Sequence, residues 1–193
     1  MTNRFAEIAF TTSVRDAQTE YGFPAIAERL REHGVANENL GELEQEFIEG
    51  CDTLFLATIG ETGWPYVQHR GGPKGFVKVL DAQLLAFPDF RGNRQLISTG
   101  NASIHERCSM IFMDYLNRRR LKVFGLLRMR HSNRVPIAIR EAIQLPEYDA
   151  RIERVAMIRV VAFDWNCPRH IVQRFTEEEA AHLLEPASGF PRR

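Results

Sequence analysis

The sequence predicts a mainly β fold, an antiparallel barrel with helices at its N-terminus and flanks. Three observations predict it. From residue 52 onward the apolar pattern takes a period of two. About seven strand-like segments follow one another, mostly through short loops rich in Gly, Pro, Asn and Asp. Only one short helical stretch interrupts the main run. A doubly wound nucleotide-binding sheet is disfavoured, because strands do not alternate with long helices and no Gly-x-Gly-x-x-Gly opens a helix.

Each element has a local reason. Ala25–Glu32 consists of good helix formers and stops at His33-Gly34, a C-cap signal. Leu40–Gly50 places Leu40, Leu43, Phe47 and Ile48 on one face with acids opposite. Asp52–Ile59 reads as a buried strand, Gly60-Glu61-Thr62-Gly63 as a hairpin loop, and Trp64–Arg70 as its partner strand, with Pro65 near the start where a missing donor is tolerated. Gly75–Leu80 and Gln83–Pro88 flank a turn at Asp81-Ala82. Arg94–Asn101 reads as a short helix. Arg107–Tyr115 and Arg120–Arg130 form a further pair. Residues 131–153 read as a helix plus loop broken by Pro136 and Pro146. Arg154–Trp165 is a long strand in which six of twelve residues are β-branched or aromatic. A last helix starts at Thr176, an N-cap followed by Glu178 and Glu179. The chain therefore divides into a helical extension at 1–50, a barrel at 51–175 and a helical tail at 176–193.

Composition bounds the function. The chain has 193 residues, 44% apolar and 26% charged. Such a chain builds a core without staples. Its 25 basic and 25 acidic residues cancel, which excludes a protein-wide cationic field for nucleic acid or membrane. No apolar run approaches the roughly 18 residues of a membrane span, and MTNRFAEIAF lacks the apolar stretch of a signal peptide. Cys51, Cys108 and Cys167 are odd in number and far apart, which predicts reduced thiols in the cytoplasm.

Two clusters can carry chemistry. In His69–Gly75, Arg70 and Lys74 flank three glycines and a proline. Glycines let amides approach a ligand and the cations favour an anion; a plain Gly-Pro turn is the alternative. In Phe87–Ser98 a strand ends and a helix is expected to begin near Asn93-Arg94, with its free amides and positive dipole end suited to phosphate. Arg91 and Arg94 add fork-shaped cations; a simple Asn N-cap beside exposed arginines is the alternative. A ligand bridging both clusters would set a phosphate at the helix start and a flat group along the Arg70 strand.

Gln68-His69-Arg70, Gly92-Asn93-Arg94 and the run Asp164-Trp165-Asn166-Cys167-Pro168-Arg169-His170-Ile171 appear in this order. On these three segments the chain resembles the pyridoxamine 5′-phosphate oxidase-like flavoproteins, the FMN-binding split barrels, and within them an uncharacterised subgroup. The resemblance spans about residues 40–175. It implies a homodimer of split β-barrels with FMN at the interface and oxidoreductase chemistry on a small molecule. It places Gln68, His69, Arg70 and Lys74 beside the flavin ring, Asn93 and Arg94 at the phosphate, and Arg91 and Ser98 as further phosphate partners. Trp165 with Arg174 or Arg169 would cover the ring from the partner subunit. Two departures stand out. Gly71-Gly72-Pro73 replaces the apolar strand residues of the vitamin-converting members, and Arg169-His170 are adjacent where those members have Arg-x-His.

Other residues have a bland reading beside the sharp one. His69 and His170 are suited to acid–base work near a flavin, or to structural hydrogen bonding. Cys167 reads as a buried structural cysteine rather than a reactive thiol. No paired spacing supports a metal site. Residues 118–134 hold Arg118, Arg119, Arg120, Lys122, Arg128, Arg130 and Arg134 with no acid, the chain's best hint of nucleic acid. Alternation with Leu121, Val123, Leu127 and Met129 also reads as a strand with one polar face. The expected function is an FMN-dependent oxidoreductase. The alternatives are a flavin-binding protein without turnover and, behind it, a basic-faced nucleic-acid-binding barrel.

Overall fold

The computed structural model describes residues 3–24, 26, 36–165 and 167–184. The helix expected over 25–32, with its His33-Gly34 stop, lies outside the described residues apart from Ile26. Two short helices come first, α1 (Arg4–Ala9) and α2 (Thr12–Glu20). Asn3 caps α1 through an acceptor bond from the Ala6 amide at 2.8 Å. Asn37 ties this cap to the sheet: its Nδ2 donates to Asn3 Oδ1 at 2.9 Å and to the Phe163 carbonyl at 2.6 Å. Both asparagines are buried, and these bonds are what makes that burial tolerable.

Helix α3 (Glu42–Gly50) buries Phe47 and Ile48. Leu43, expected on the same face, is exposed at its outer edge. Seven strands follow: β1 (Thr53–Ile59), β2 (Pro65–Gly71), β3 (Lys78–Asp81), β4 (Leu84–Phe90), β5 (Arg107–Asp114), β6 (Arg119–His131) and β7 (Ile152–Trp165). All pairings are antiparallel, in the order β2-β1-β5-β6-β7-β4-β3. The period of two appears directly in the alternating burial of β1, β5 and β6. Inward residues of the sheet, including Leu54, Leu56, Met110, Phe112, Leu121, Val123, Leu127 and Ile158, form one core with Phe47, Ile48 and Phe76. The fold is a split β-barrel with flanking helices.

The hairpins follow local chemistry. Gly63 has φ +84° in the β1–β2 turn, where a side chain is strained. Pro65 opens β2, a strand at the end of the sheet, where no neighbour misses its N–H. Pro88 sits inside β4, but β3 pairs only with Leu84–Ala86, so the proline's free side has no strand beside it. The segment 75–77 is not strand, as expected from sequence, but a loop that sinks Phe76 and Val77 into the core. At Phe124/Gly125 the register with β7 shifts, with Val161 of β7 as the extra residue of the bulge.

Helix α4 runs from Ile97 to Ile104, three residues later than the sequence suggests. The reason is backbone geometry: Arg94 and Leu96 take φ +60° and +56°, left-handed values that cannot continue a right-handed helix. A 3-10 turn (Ser132–Arg134) and α5 (Ile137–Ala142) fill the 131–153 stretch. Helix α6 (Glu177–Leu184) starts where expected, with Thr176 Oγ1 accepting from the Glu179 amide at 3.2 Å and Glu179 Oε2 accepting in return from the Thr176 amide at 3.0 Å. Among the described residues no helix is long and apolar enough to cross a membrane.

Candidate functional site

The site forms where the sheet rolls up. Strand β2 carries Tyr66, Gln68 and Arg70 on alternate positions, and all three line one cleft with Asn93, Arg94, Leu96 and Ser98. Asp89 is the hinge of the cluster. It sits inside an apolar strand and is buried, so it needs partners. Arg70 Nη1 donates to its Oδ1 at 2.5 Å and Arg154 Nε to its Oδ2 at 2.6 Å. Arg154 also reaches Glu153 at 3.5 Å, and the same Glu153 draws in Arg94 at 3.4 Å and Arg91 at 3.9 Å. Four guanidiniums thus face two carboxylates, and two positive charges remain in excess. Arg70 Nε is buried without a hydrogen-bond partner.

The far wall is the start of α4. No side chain caps it, so its first amides face the cleft at the positive end of the helix. Ser98 is buried and its hydroxyl donates to Gln68 Oε1 at 3.1 Å, which joins the two clusters seen in the sequence. Asn93 is not the helix cap. Its Oδ1 accepts from the Gln95 amide at 3.2 Å, which folds the loop that carries Arg94.

The cleft proper has a volume of about 50 Å³. Pockets for whole organic ligands hold roughly 300–1,000 Å³. One chain by itself therefore accommodates an anion the size of a phosphate and not a whole organic ligand. Cationic excess, an orphaned guanidinium nitrogen and an uncapped helix start all fit a phosphate.

The other sequence-selected residues lie elsewhere in the chain. Lys74 pairs with Glu179 at 3.2 Å and lines a second cleft of about 430 Å³ with Arg174. There the Thr176 amide and Lys74 hold the Glu179 carboxyl below the usual carboxylate range. Arg174 stands 4.8 Å over the Tyr115 ring. Trp165 donates its indole N–H to Glu44 Oε1 at 2.7 Å, meets Phe47 edge-on, and carries the Arg119 guanidinium 4.7 Å from its ring. Arg169 and His170 are exposed. His69 Nε2 lies 2.5 Å from Thr53 Oγ1, and its ring meets Phe55 edge-on.

Cys167 is exposed, not buried as its apolar neighbours suggested, because it follows the end of β7 outside the sheet. Cys51 and Cys108 are the buried thiols. Burial pushes each up to about 12, aided at Cys51 by Asp114 and Asp52. Among the described residues no group of His, Cys, Asp or Glu is arranged for a metal ion.

Sequence reasoning missed Asp89, Glu153 and Arg154. A signal was present for the first: a carboxylate between Phe87-Pro88 and Phe90 in a strand must find a cation.

Comparison with solved structures finds similar chains. A histidine-to-alanine variant of HupZ from Group A Streptococcus is 11% identical, with 65% of this chain and 98% of that chain covered and a TM-score of 0.51. A putative pyridoxamine 5′-phosphate oxidase from Lactobacillus delbrueckii is 16% identical, with 66% and 94% covered and a TM-score of 0.47. An FMN-binding protein from Syntrophomonas wolfei is 8% identical, with 80% and 97% covered and a TM-score of 0.46. A comparison with curated proteins finds no match. The sequence model of pyridoxamine 5′-phosphate oxidase matches residues 40–153, more than half of the chain, and the protein belongs to that family.

Proposed function

We propose that the chain binds FMN with its phosphate in the Arg70–Ser98 cleft and acts, as a homodimer, as an FMN-dependent oxidoreductase on a small molecule. The observation that carries this reading is the meeting of Gln68 and Arg70 from β2 with Arg94 from the loop before α4 and Ser98 from its first turn around one anion-sized cavity. Family membership supports a flavin as the cofactor.

The residues divide the work. Arg94 is 59% exposed and only loosely held by Glu153, so it is free to turn onto a phosphate, with Arg91 beside it. The Ser98 hydroxyl and the first α4 amides add donors. Asp89 holds Arg70 in place, and Arg70 would lie beside the flavin. When bound, the flavin supplies hydride exchange at its ring, and the protein supplies position and field. In a homodimer, Trp165, Arg169 or Arg174 of the second copy would cover the ring.

The test is direct. Purified protein is expected to quench FMN fluorescence with saturable binding and to release FMN on denaturation. Anaerobic reduction of the bound flavin by NADPH then separates turnover from simple carriage. A colourless protein that leaves FMN fluorescence unchanged removes the proposal.

A further inference from the structure

The outer face of the sheet carries apolar side chains that neither the core nor the flavin cleft uses. Strand register sets them there. Ala57 pairs with Ser109 and Ser109 with Phe124; one row on, Ile59 pairs with Pro65 and Arg107 with Leu126. The residues between them, Leu56, Thr58, Cys108 and Met110, are buried on the inner face. Two small side chains, Ala57 and Ser109, thus lie side by side with bulkier neighbours on both flanks, which leaves a depression. Helix α1 walls it. Phe5 stacks on Phe124 at 4.7 Å, and Arg4 and Ile8, one helical turn apart, border the depression. The result is a trough of about 480 Å³. Pockets for small organic ligands span roughly 300–1,000 Å³.

The trough is apolar along its length and cationic at one end. Ile59 is 40% exposed on its rim, and Val67, the partner of Ala57, is 60% exposed beside it. A contiguous apolar face left open to water marks a binding surface. Among the described residues no carboxylate lines the trough. Arg107 is exposed at its end, and Arg159 of β7 follows on the same face across Leu126. Among the described residues neither arginine forms an ion pair. Arg4 pairs only with Glu7, at 2.7 Å, in an exposed contact of little worth.

We propose that this trough binds a free alkyl carboxylate, with its chain along Ala57, Ser109 and Phe124 and its carboxylate on Arg107. An apolar floor that ends in unpaired guanidiniums matches a ligand with one apolar and one anionic end. A second copy of the same face offers Arg107 no carboxylate from its trough. The site is separate from the flavin cleft, because Gln68 and Arg70 leave β2 on the face opposite to Pro65 and Val67.

Calorimetric titration of the full chain with decanoate tests this, with decanol and decylammonium as controls of equal length. No flavin is added, so the result is read independently of FMN binding. One equivalent of decanoate is expected to bind, about tenfold or more tighter than either control, as a charge-assisted contact implies. Arg107→Gln is expected to weaken decanoate by a similar factor. Ile59→Ser is expected to weaken it several-fold, and Ala57→Leu, which fills the trough, to abolish it. Arg107 and Ile59 are exposed, so their variants keep the fold even if Ala57→Leu does not, as circular dichroism would show. Arg130→Gln, an exposed arginine further along β6, is expected to leave binding within about twofold. The proposal is overturned if decanoate does not bind, if decanol or decylammonium binds as tightly, or if Arg107→Gln and Ile59→Ser both bind like the parent. It is also overturned if sedimentation shows a dimer that Ile59→Ser converts to monomer, which would make this face a subunit interface.

Discussion

Arg70 and Asp89 touch at 2.5 Å although four strands lie between β2 and β4 in the sheet order. Their ion pair crosses the open side of the split barrel. It fixes the Arg70 strand against the loop that carries Arg94, and so it builds the cleft as well as closing the fold.

Asp89→Ala leaves Arg70 and Arg154 facing each other without their shared carboxylate. Breaking such a buried pair costs about 3–5 kcal/mol. The expected result is a large fall in the urea midpoint. Arg70→Ala should cost less, because Asp89 keeps Arg154. Equal midpoints for the two variants would contradict the hinge role of Asp89.

Arg94→Ala removes an exposed side chain, so the fold should lose at most about 1 kcal/mol. FMN affinity is expected to drop about tenfold to a hundredfold, the worth of one charge-assisted phosphate contact. Fluorescence titration of variant and parent checks this. Undiminished affinity removes Arg94 from the site.

Ser98→Ala leaves the half-buried Gln68 Oε1 without its donor. A loss of about 1–3 kcal/mol in stability is expected. Thermal unfolding with and without FMN separates this loss from any loss of binding.

Gly125→Ala places a Cβ 2.4 Å from Ile158 Cγ2 and 3.1 Å from the Arg159 carbonyl. The bulge cannot yield without disturbing the β6–β7 pairing, so overpacking of about 1–3 kcal/mol is expected in chemical denaturation. A neutral effect would mean that β7 shifts freely there.

The thiols give a pH signature. Cys51 and Cys108 are raised from 9.0 to about 12 in the folded chain. Below pH 9 both states keep the proton and the two thiols add no pH dependence. Between pH 9 and 12 the unfolded state ionises first, so stability falls as pH rises. A thiol reagent at about pH 8 should modify Cys167 rapidly in the native protein and all three cysteines after unfolding. Rapid native modification of Cys51 would contradict its burial.

The strands and hairpins were legible because their causes are local. Alternation in Thr53–Ile59, glycines at 60 and 63, and the Thr176 cap each act within a few residues. Ser98 and Gln68 were legible as site residues only through a resemblance, since 30 positions separate them and no local rule joins them. The start of α4 was misplaced because Asn93 looks like a cap, while the left-handed Arg94 and Leu96 delay the helix. Lys74 looked like a companion of Arg70, yet the loop that buries Phe76 turns it towards Glu179.

The sequence by itself determined the barrel class, the order of its hairpins and the neutrality of the whole, because periodicity, turn chemistry and charge count are properties of neighbouring residues and of sums. Only the tertiary structure decided that Asp89 gathers Arg70 and Arg154 and that Ser98 meets Gln68. Those pairings depend on how the sheet rolls, and buried charges are satisfied by whatever partner that rolling brings within reach.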